Sequence, residues 1–365
     1  MIKFFDLRRQ DRVVHKKIIN EIKKNIQRGD FILGSKVNEF EKKFATFRKV
    51  KYAIGCANGT DALTISLKAL NLPKNSEVII PAMTFCSTAY AVINAGLKPV
   101  LVDINNKNPT LSILELKKKI NNKTRVIMPV HLYGSVVDIN SIKKIISRKK
   151  ITIIDDCSQA HGAYDYTKKN NKKIIGSYGD ISCFSLYPGK NLGAYGDAGI
   201  ITTNNEKYYK VIKKLRNLGS EKKFNHELVG FNSRLDSIQS IVLIQKLKYL
   251  NKLNDKRREI ANYYNEKIHN NNVDKLNYSK NAVYHQYVIL VKNRQKLIKL
   301  FKKKKVQFGF HYPSPIHKLR SLRNSFKKEK YINAERLAKK GISIPIDPFL
   351  KNNEVKKIVT IINSL

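Results

Sequence analysis

Residues 51–81 read KYAIGCANGTDALTISLKALNLPKNSEVIIP, and their punctuation decides the fold. Tyr52-Ala53-Ile54-Gly55-Cys56 has the length and apolarity of a strand. The small-residue turn after it opens into a stretch of helical spacing from Asp61 to Leu70, and Val78-Ile79-Ile80 is a second short apolar run. A strand, a helix and a strand in that order make one unit of a parallel sheet. The alternation continues through Val100–Asp103, Val126–Val130 and Ile151–Asp155. An α/β fold is therefore predicted, with a mostly parallel sheet carrying helices on both faces. Ligands of such sheets bind beyond the carboxyl ends of the strands, so the residues just after each apolar run are the first candidates for chemistry.

Outside this region the pattern changes. Residues 1–50 alternate apolar and charged positions at helical spacing, with Gly29 and Gly34 as breaks. From Asn204 to about Lys267 the chain reads as long helices, one of them running from near Leu235 through Arg258, and Asn270-Asn271-Asn272 marks a break. A strand at Val283–Val291, a helix at Arg294–Lys303 and a terminal helix near Glu354–Ile362 predict a smaller C-terminal α/β domain. The expected organisation is an N-terminal helical segment (1–50), a large domain (51–235), a connecting long helix (236–268) and a small domain (269–365).

Composition narrows the function classes. At 365 residues, 42% hydrophobic, with 17 Gly and 10 Pro, the chain is long and apolar enough for a normal core and is not expected to be disordered or collagenous. No run approaches the ~18 uninterrupted apolar residues of a membrane span. The start, Met1 to Arg9, has Asp6 within it and no apolar run after its charges, so no secretory signal is read and a cytoplasmic protein is expected. The net charge of +43 raises nucleic acid as a partner, but 56 of the 71 basic residues are Lys and 15 are Arg. Arg is the residue suited to bidentate recognition of bases and phosphates, so the charge is read as a solvated Lys surface and no nucleic acid is expected. Cys56, Cys86, Cys157 and Cys183 form no CxxC pair and no metal-ligand spacing with His, and are read as reduced, packed thiols.

Three strand ends carry chemistry. Asn58-Gly59-Thr60-Asp61 opens a helix, whose free N–H groups and positive dipole end suit a phosphate, although a merely capped helix has the same pattern. Ile151–Ile154 ends in Asp155-Asp156-Cys157-Ser158-Gln159-Ala160-His161. Adjacent acids on a strand point to opposite sides, so one of them can face a given ligand and hold a cation; in the plainer reading one caps a helix and the other is solvated. A metal is the poorer cation, since His161 is the one neighbouring candidate ligand. The third segment, Ser182 to Gly199, places Lys190 alone in an apolar, glycine-rich setting where desolvation favours the neutral amine, a nucleophile for a carbonyl. A phosphate cradle, a carboxylate for a ring nitrogen and such a lysine are the parts that a pyridoxal phosphate site requires.

With NGTDAL at 58–63, PAMTF at 81–85, PVHLYG at 129–134, DDCSQAHGA at 155–163, FSLYPGKNLGAYGDAG at 184–199, GFNSRLDSIQ at 230–239 and HYPSPIH at 311–317, the chain resembles the DegT/DnrJ/EryC1/StrS sugar aminotransferases nearly end to end. The resemblance implies the PLP-dependent transferase fold type I, the aspartate aminotransferase-like fold, with pyridoxal 5′-phosphate as cofactor. It implies that Lys190 bonds the cofactor and shuttles the proton, and that Asp156 keeps the pyridinium nitrogen protonated. Gln159 lies on the cofactor's hydroxyl side, Phe85 against its ring, and Gly59, Thr60 and Ser185 at its phosphate. Asn232 reaches the phosphate of the neighbouring subunit's cofactor, giving a homodimer with shared active sites. Tyr187, His311 and Tyr312 are expected at the substrate. One departure is Asp155, where the family usually has Glu; the pyridinium partner is the other acid.

The implied reaction moves an amino group, from L-glutamate, to a nucleotide-linked keto-deoxysugar. His131-Leu132-Tyr133-Gly134 and the 311–317 segment look like those of relatives that aminate C3 of dTDP-linked 3-keto-6-deoxyhexoses, with a UDP-linked 3-keto sugar as nearest rival and a 4-keto substrate third. Relatives that dehydrate sugars carry His in place of the lysine, or a cysteine cluster for iron and sulfur. Lys190 is present and no such cluster is. A regulatory, DNA-binding relative would need a helix-turn-helix or similar module, and none is legible.

Overall fold

A computed structural model describes residues 1–11, 14–166, 172–222 and 224–365. The strands are β1 (Tyr52–Cys56), β2 (Glu77–Pro81), β3 (Lys98–Val102), β4 (Thr124–Ile127), β5 (Thr152–Asp156), β6 (Tyr164–Tyr166), β7 (Lys172–Ile174), β8 (Ile181–Ser185), β9 (Gly199–Thr203), β10 (Val273–Lys275), β11 (Tyr287–Val291) and β12 (Gly341–Ile344). A seven-stranded sheet runs β1-β9-β8-β5-β4-β2-β3. All its pairings are parallel except the two made by β9. The predicted α/β class is therefore observed, and every apolar run that predicted a strand between 52 and 155 is one.

The helices are α1 (Leu7–Asp11), α2 (His15–Arg28), α3 (Ser35–Arg48), α4 (Gly59–Ala69), α5 (Cys86–Asn94), α6 (Ile113–Lys119), α7 (Ile139–Ile146), α8 (Glu206–Leu215), α9 (Ser237–Leu247), α10 (Leu250–Lys267), α11 (Arg294–Lys303), α12 (Ile332–Lys340) and α13 (Asn352–Asn363). The large sheet is covered on both faces by separate apolar clusters. Ile154 belongs to the one with α4 and α5, and Ile153 to the one with α3 and α7. Each such buried isoleucine contributes about 1.5–3 kcal/mol, and the alternation along β5 carries on into the acids, so Asp155 and Asp156 leave the strand on opposite sides. A second sheet, β10-β11-β12, is antiparallel throughout and holds a third cluster with residues of α10, α11 and α13.

Three expectations differ from what forms. The helix expected from near Leu235 through Arg258 is two helices, because Tyr249 N–H bonds Lys246 O at 3.0 Å, a tightened i→i+3 turn that redirects the chain. The described residues between 216 and 236 are not helical. Gly219 has φ +75°, and a Cβ there would lie 1.6 Å from Leu228 O, so the segment folds back on itself instead of winding. The strand expected from Val283 begins at Tyr287. Val283 N–H and Gln286 N–H bond the carbonyls of Gly134 and Tyr133, which draws His285 towards the ends of the large sheet.

Candidate active site

At the carboxyl ends of β1, β5 and β8 lies a cavity of about 710 Å³. Gly59, Thr60, Phe85, Asp156, Gln159, Ser185, Tyr187, Lys190, His311 and Tyr312 all line it. Asn232 does not: it stands exposed beyond a backbone bridge to Asn217.

The first wall is the β1–α4 turn. Asn58 caps α4 by accepting Asp61 N–H on its side chain at 2.8 Å, and its carbonyl takes Ala62 N–H at 3.1 Å. The N–H groups of Gly59 and Thr60 are left without an acceptor among the described residues, at the positive end of an 11-residue helix. Gly59 is required by proximity. A Cβ on it would come within 2.5 Å of Ser185 Cβ. Thr60 Oγ1 donates to Ser87 at 2.8 Å, so the hydroxyls of residues 60, 87 and 185 cluster at this end.

The second wall is the end of β5. Asp156, 4% exposed, accepts the Thr88 hydroxyl at 2.9 Å on one oxygen and Ser158 N–H at 3.1 Å on the other. Thr88 is backed by Thr84 at 2.9 Å. Gln159 Oε1 accepts Tyr133 N–H at 2.6 Å, and its amide donates to Tyr312 Oη at 2.8 Å. Tyr312 lies 5.4 Å from the Phe85 ring, and Tyr133 Oη donates to the His311 carbonyl.

Lys190 follows β8. Its N–H bonds Tyr187 O at 2.8 Å, and burial pulls its amine down to about 8 against the opposing pull of Asp156. His311 is pushed down to about 4 by burial, with Lys190 adding to it, so its ring is neutral while Nδ1 meets Ser343 Oγ at 2.7 Å. The arrangement offers a nucleophilic amine, an oriented carboxylate and a phosphate-sized nest of N–H and O–H donors within one cavity. It fits pyridoxal 5′-phosphate, whose carbonyl, cationic and anionic ends would meet these three features in turn.

Asp155 is neither a solvated acid nor a helix cap. It is fully buried on the other side of β5, accepts Gly179 N–H at 3.0 Å and the Ser182 hydroxyl at 3.3 Å, and is pushed up to about 7 by burial. With His131 and Cys157 it makes a buried trio whose polar atoms lie within 4.8 Å of one another, outside the cavity lining. Sequence spacing misses this trio because His131 comes from the chain after β4. His161 does not join it, and instead packs 5.5 Å from the Phe184 ring. Sequence reading also misses Thr88, His285, Arg257 and Asp347 among the lining residues. Arg257 does carry a faint signal: the buried positions of α10 are Leu250, Asn254, Arg257, Ala261 and Tyr264, a helical stripe with polar residues at core positions.

The DegT/DnrJ/EryC1/StrS aminotransferase family model matches residues 13–363. A dTDP-3-amino-3,6-dideoxy-alpha-D-galactopyranose transaminase of Aneurinibacillus thermoaerophilus is 40% identical, over 100% of this chain and 99% of that one. A UDP-2-acetamido-2-deoxy-3-oxo-D-glucuronate aminotransferase of Pseudomonas aeruginosa is 34% identical over 98% of each. Among solved structures, Streptomyces venezuelae DesV in complex with a ketimine intermediate superposes with a TM-score of 0.95 at 30% identity, covering 100% of this chain and 98% of that one. The Bacillus subtilis protein ntda, with bound PMP, gives 0.90 at 28% identity, covering 99% and 85%.

Proposed function

The chain belongs to the DegT/DnrJ/EryC1/StrS aminotransferase family, and from that premise we propose that it moves an amino group from L-glutamate to C3 of a dTDP-linked 3-keto-6-deoxyhexose, as a homodimer. The observation that carries the reading is the meeting of Lys190, Asp156 and the open N–H groups of Gly59 and Thr60 in one cavity. Pyridoxal 5′-phosphate, the cofactor of this family, supplies a carbonyl for the amine and a ring that accepts electrons. Gly59, Thr60 and Ser185 would hold its phosphate, Phe85 its ring face, Gln159 its hydroxyl side and Asp156 its ring nitrogen. Lys190, with its lowered affinity for a proton, would hold the cofactor through its amine and would accept and return a proton at Nζ. Tyr187, 57% exposed at the cavity rim, faces the incoming sugar together with His311 and Tyr312.

The choice of C3 and of dTDP rests on the relative with that named reaction and on the His131–Gly134 and His311–His317 segments, which the Tyr133–His311 bond joins. Presented with matched dTDP-linked 3-keto and 4-keto sugars, the enzyme is expected to favour the 3-keto compound by at least roughly tenfold in kcat/KM. NMR of the product locates the nitrogen. Conversion of the 4-keto compound alone removes the C3 assignment and leaves the aminotransferase. A UDP-linked 3-keto sugar is the second arm of the same assay, as the relative from Pseudomonas aeruginosa acts on a UDP sugar.

The homodimer is supported by exposed apolar side chains near Asn232. Leu218, Leu228 and Val229 are 43%, 41% and 99% exposed, and Phe31 and Ile32, which pair with Ser237 and Asp236, are 40% and 54% exposed. If Asn232 completes the partner's phosphate site, Lys190→Ala and Asn232→Ala proteins are each inactive, but exchanging their subunits creates heterodimers with one intact site. Random pairing then restores about a quarter of wild-type activity. A monomer of full activity, or no recovery on mixing, overturns the shared site.

A further inference from the structure

Arg257 is 3% exposed, and of its five N–H donors one alone, on Nη1, meets an acceptor among the described residues, the Ile346 carbonyl at 2.8 Å. No carboxylate lies within ion-pair distance of it among those residues. Arg216, buried to a similar degree, pairs with Glu41 and also donates to Gly55 O, while Arg48, buried outside the cavity lining, donates to Ala163 O and pairs with no acid among the described residues. A buried guanidinium left so open carries a desolvation cost that an anion can offset, and Arg257 lines the cavity. We propose that Arg257 is an anion subsite of the active site and that its ligand is a carboxylate of the amino donor.

The donor is favoured over the sugar's diphosphate by where Arg257 stands. Asn254, three residues earlier on the same face of α10, accepts Asn191 Nδ2 at 2.9 Å and donates to His161 O at 2.8 Å. Asn191 is the residue after Lys190, and its Oδ1 meets His285 Nδ1 at 3.1 Å. This clamp places Arg257 about one helical turn, roughly 5 Å, from a side chain bonded to the neighbour of the reacting amine. An amino acid's α-carboxylate is two bonds from its nitrogen, whereas the first phosphorus of the diphosphate, carried on C1, is five bonds from a nitrogen on C3. Asp347, whose charge favours the cationic guanidinium, is occupied by Asp6 N–H at 3.2 Å and Phe349 N–H at 2.8 Å and makes no ion pair with Arg257, so it steadies the guanidinium without closing the site. Burial pulls Arg257 down to about 10, with Asp347 opposing, so it remains a cation at neutral pH.

The proposal rests on the aminotransferase reading and its amino-acid donor. Cofactor-loaded enzyme is mixed with L-glutamate or with propylamine, a carboxylate-free amine, in the absence of sugar, and amino transfer is followed by the cofactor's absorbance. Wild type is expected to react at least roughly 100-fold faster with glutamate. Arg257→Gln is expected to lose about 30-fold with glutamate, to leave propylamine unchanged, and to bind the dTDP sugar within twofold of wild type; Arg257→Lys restores part of the glutamate rate. Glutarate added to wild type, which needs no variant to fold, is expected to compete with glutamate and not with the sugar nucleotide. Equal wild-type rates for the two amines, weakened sugar binding in Arg257→Gln, or no competition by glutarate overturns the proposal. No response of wild type to glutamate overturns the donor reading and this proposal with it.

Discussion

Replacing Lys190 with Ala is expected to abolish amino transfer, by about 10⁴-fold or more, in a protein that stays folded. General acid–base work alone is worth 10²–10⁴, and Lys190 would also lose its bond to the cofactor. Folding is spared because the side chain forms no ion pair within 4 Å among the described residues and carries a desolvated charge, whose removal costs the native state little. Borohydride treatment of wild type fixes cofactor to the peptide holding Lys190, and a tag on any other lysine overturns the assignment. Its lowered proton affinity adds a pH test. At pH 7 an amine titrating near 8 is about a tenth neutral, against about 0.03% for an ordinary lysine. Capture of added cofactor by the apoprotein should therefore speed up as pH rises towards about 8 and then level off.

Asp156→Asn is expected to raise the barrier to proton abstraction by about 4 kcal/mol, roughly 10³-fold, with the cofactor still bound. The amide can keep its oxygen on Ser158 N–H and turn its NH₂ towards Thr88, whose hydroxyl can rotate to point at Thr84, so the shape survives while the charge is lost. Without that charge a protonated ring nitrogen loses its counterion. The same change removes the one group that raises Lys190, so the pH at which cofactor capture levels off should move below 8. Asp155→Asn, on the far side of β5, is expected to change the rate less than about threefold. The donor half-reaction, followed by absorbance at several pH values, checks both. A larger effect at Asp155 would mean that the wrong acid has been chosen.

The two acids also show how far sequence carries. That one of them faces a ligand and the other does not follows from the period of a strand, and the strand was legible in Ile151–Ile154. The environment of Asp155 was not: its partners are Gly179 and Ser182, and its buried companion His131 comes from another strand end. The helix through Leu235 to Arg258 failed for a similar reason. Its apolar spacing is continuous, but α9 packs on α2 and α3 while α10 belongs to the second sheet's core, and the chain turns between them.

By itself the sequence determined the α/β class and the strands between 52 and 156, and the resemblance carried by its motifs named ten residues that line the cavity, because apolar period, turn residues and motifs are local and survive in one dimension. Tertiary structure alone decided how far Lys190 is desolvated, that Tyr133, Gln159 and Tyr312 form one chain of hydrogen bonds, and that Arg257 stands buried with no carboxylate in ion-pair distance among the described residues. Arg257 sits in the charged run Asp255 to Glu259, where its neighbours are surface residues. Desolvation and pairing depend on what other parts of the chain bring alongside, and burial on a helix is settled by the face that meets the core rather than by the residue's neighbours in sequence.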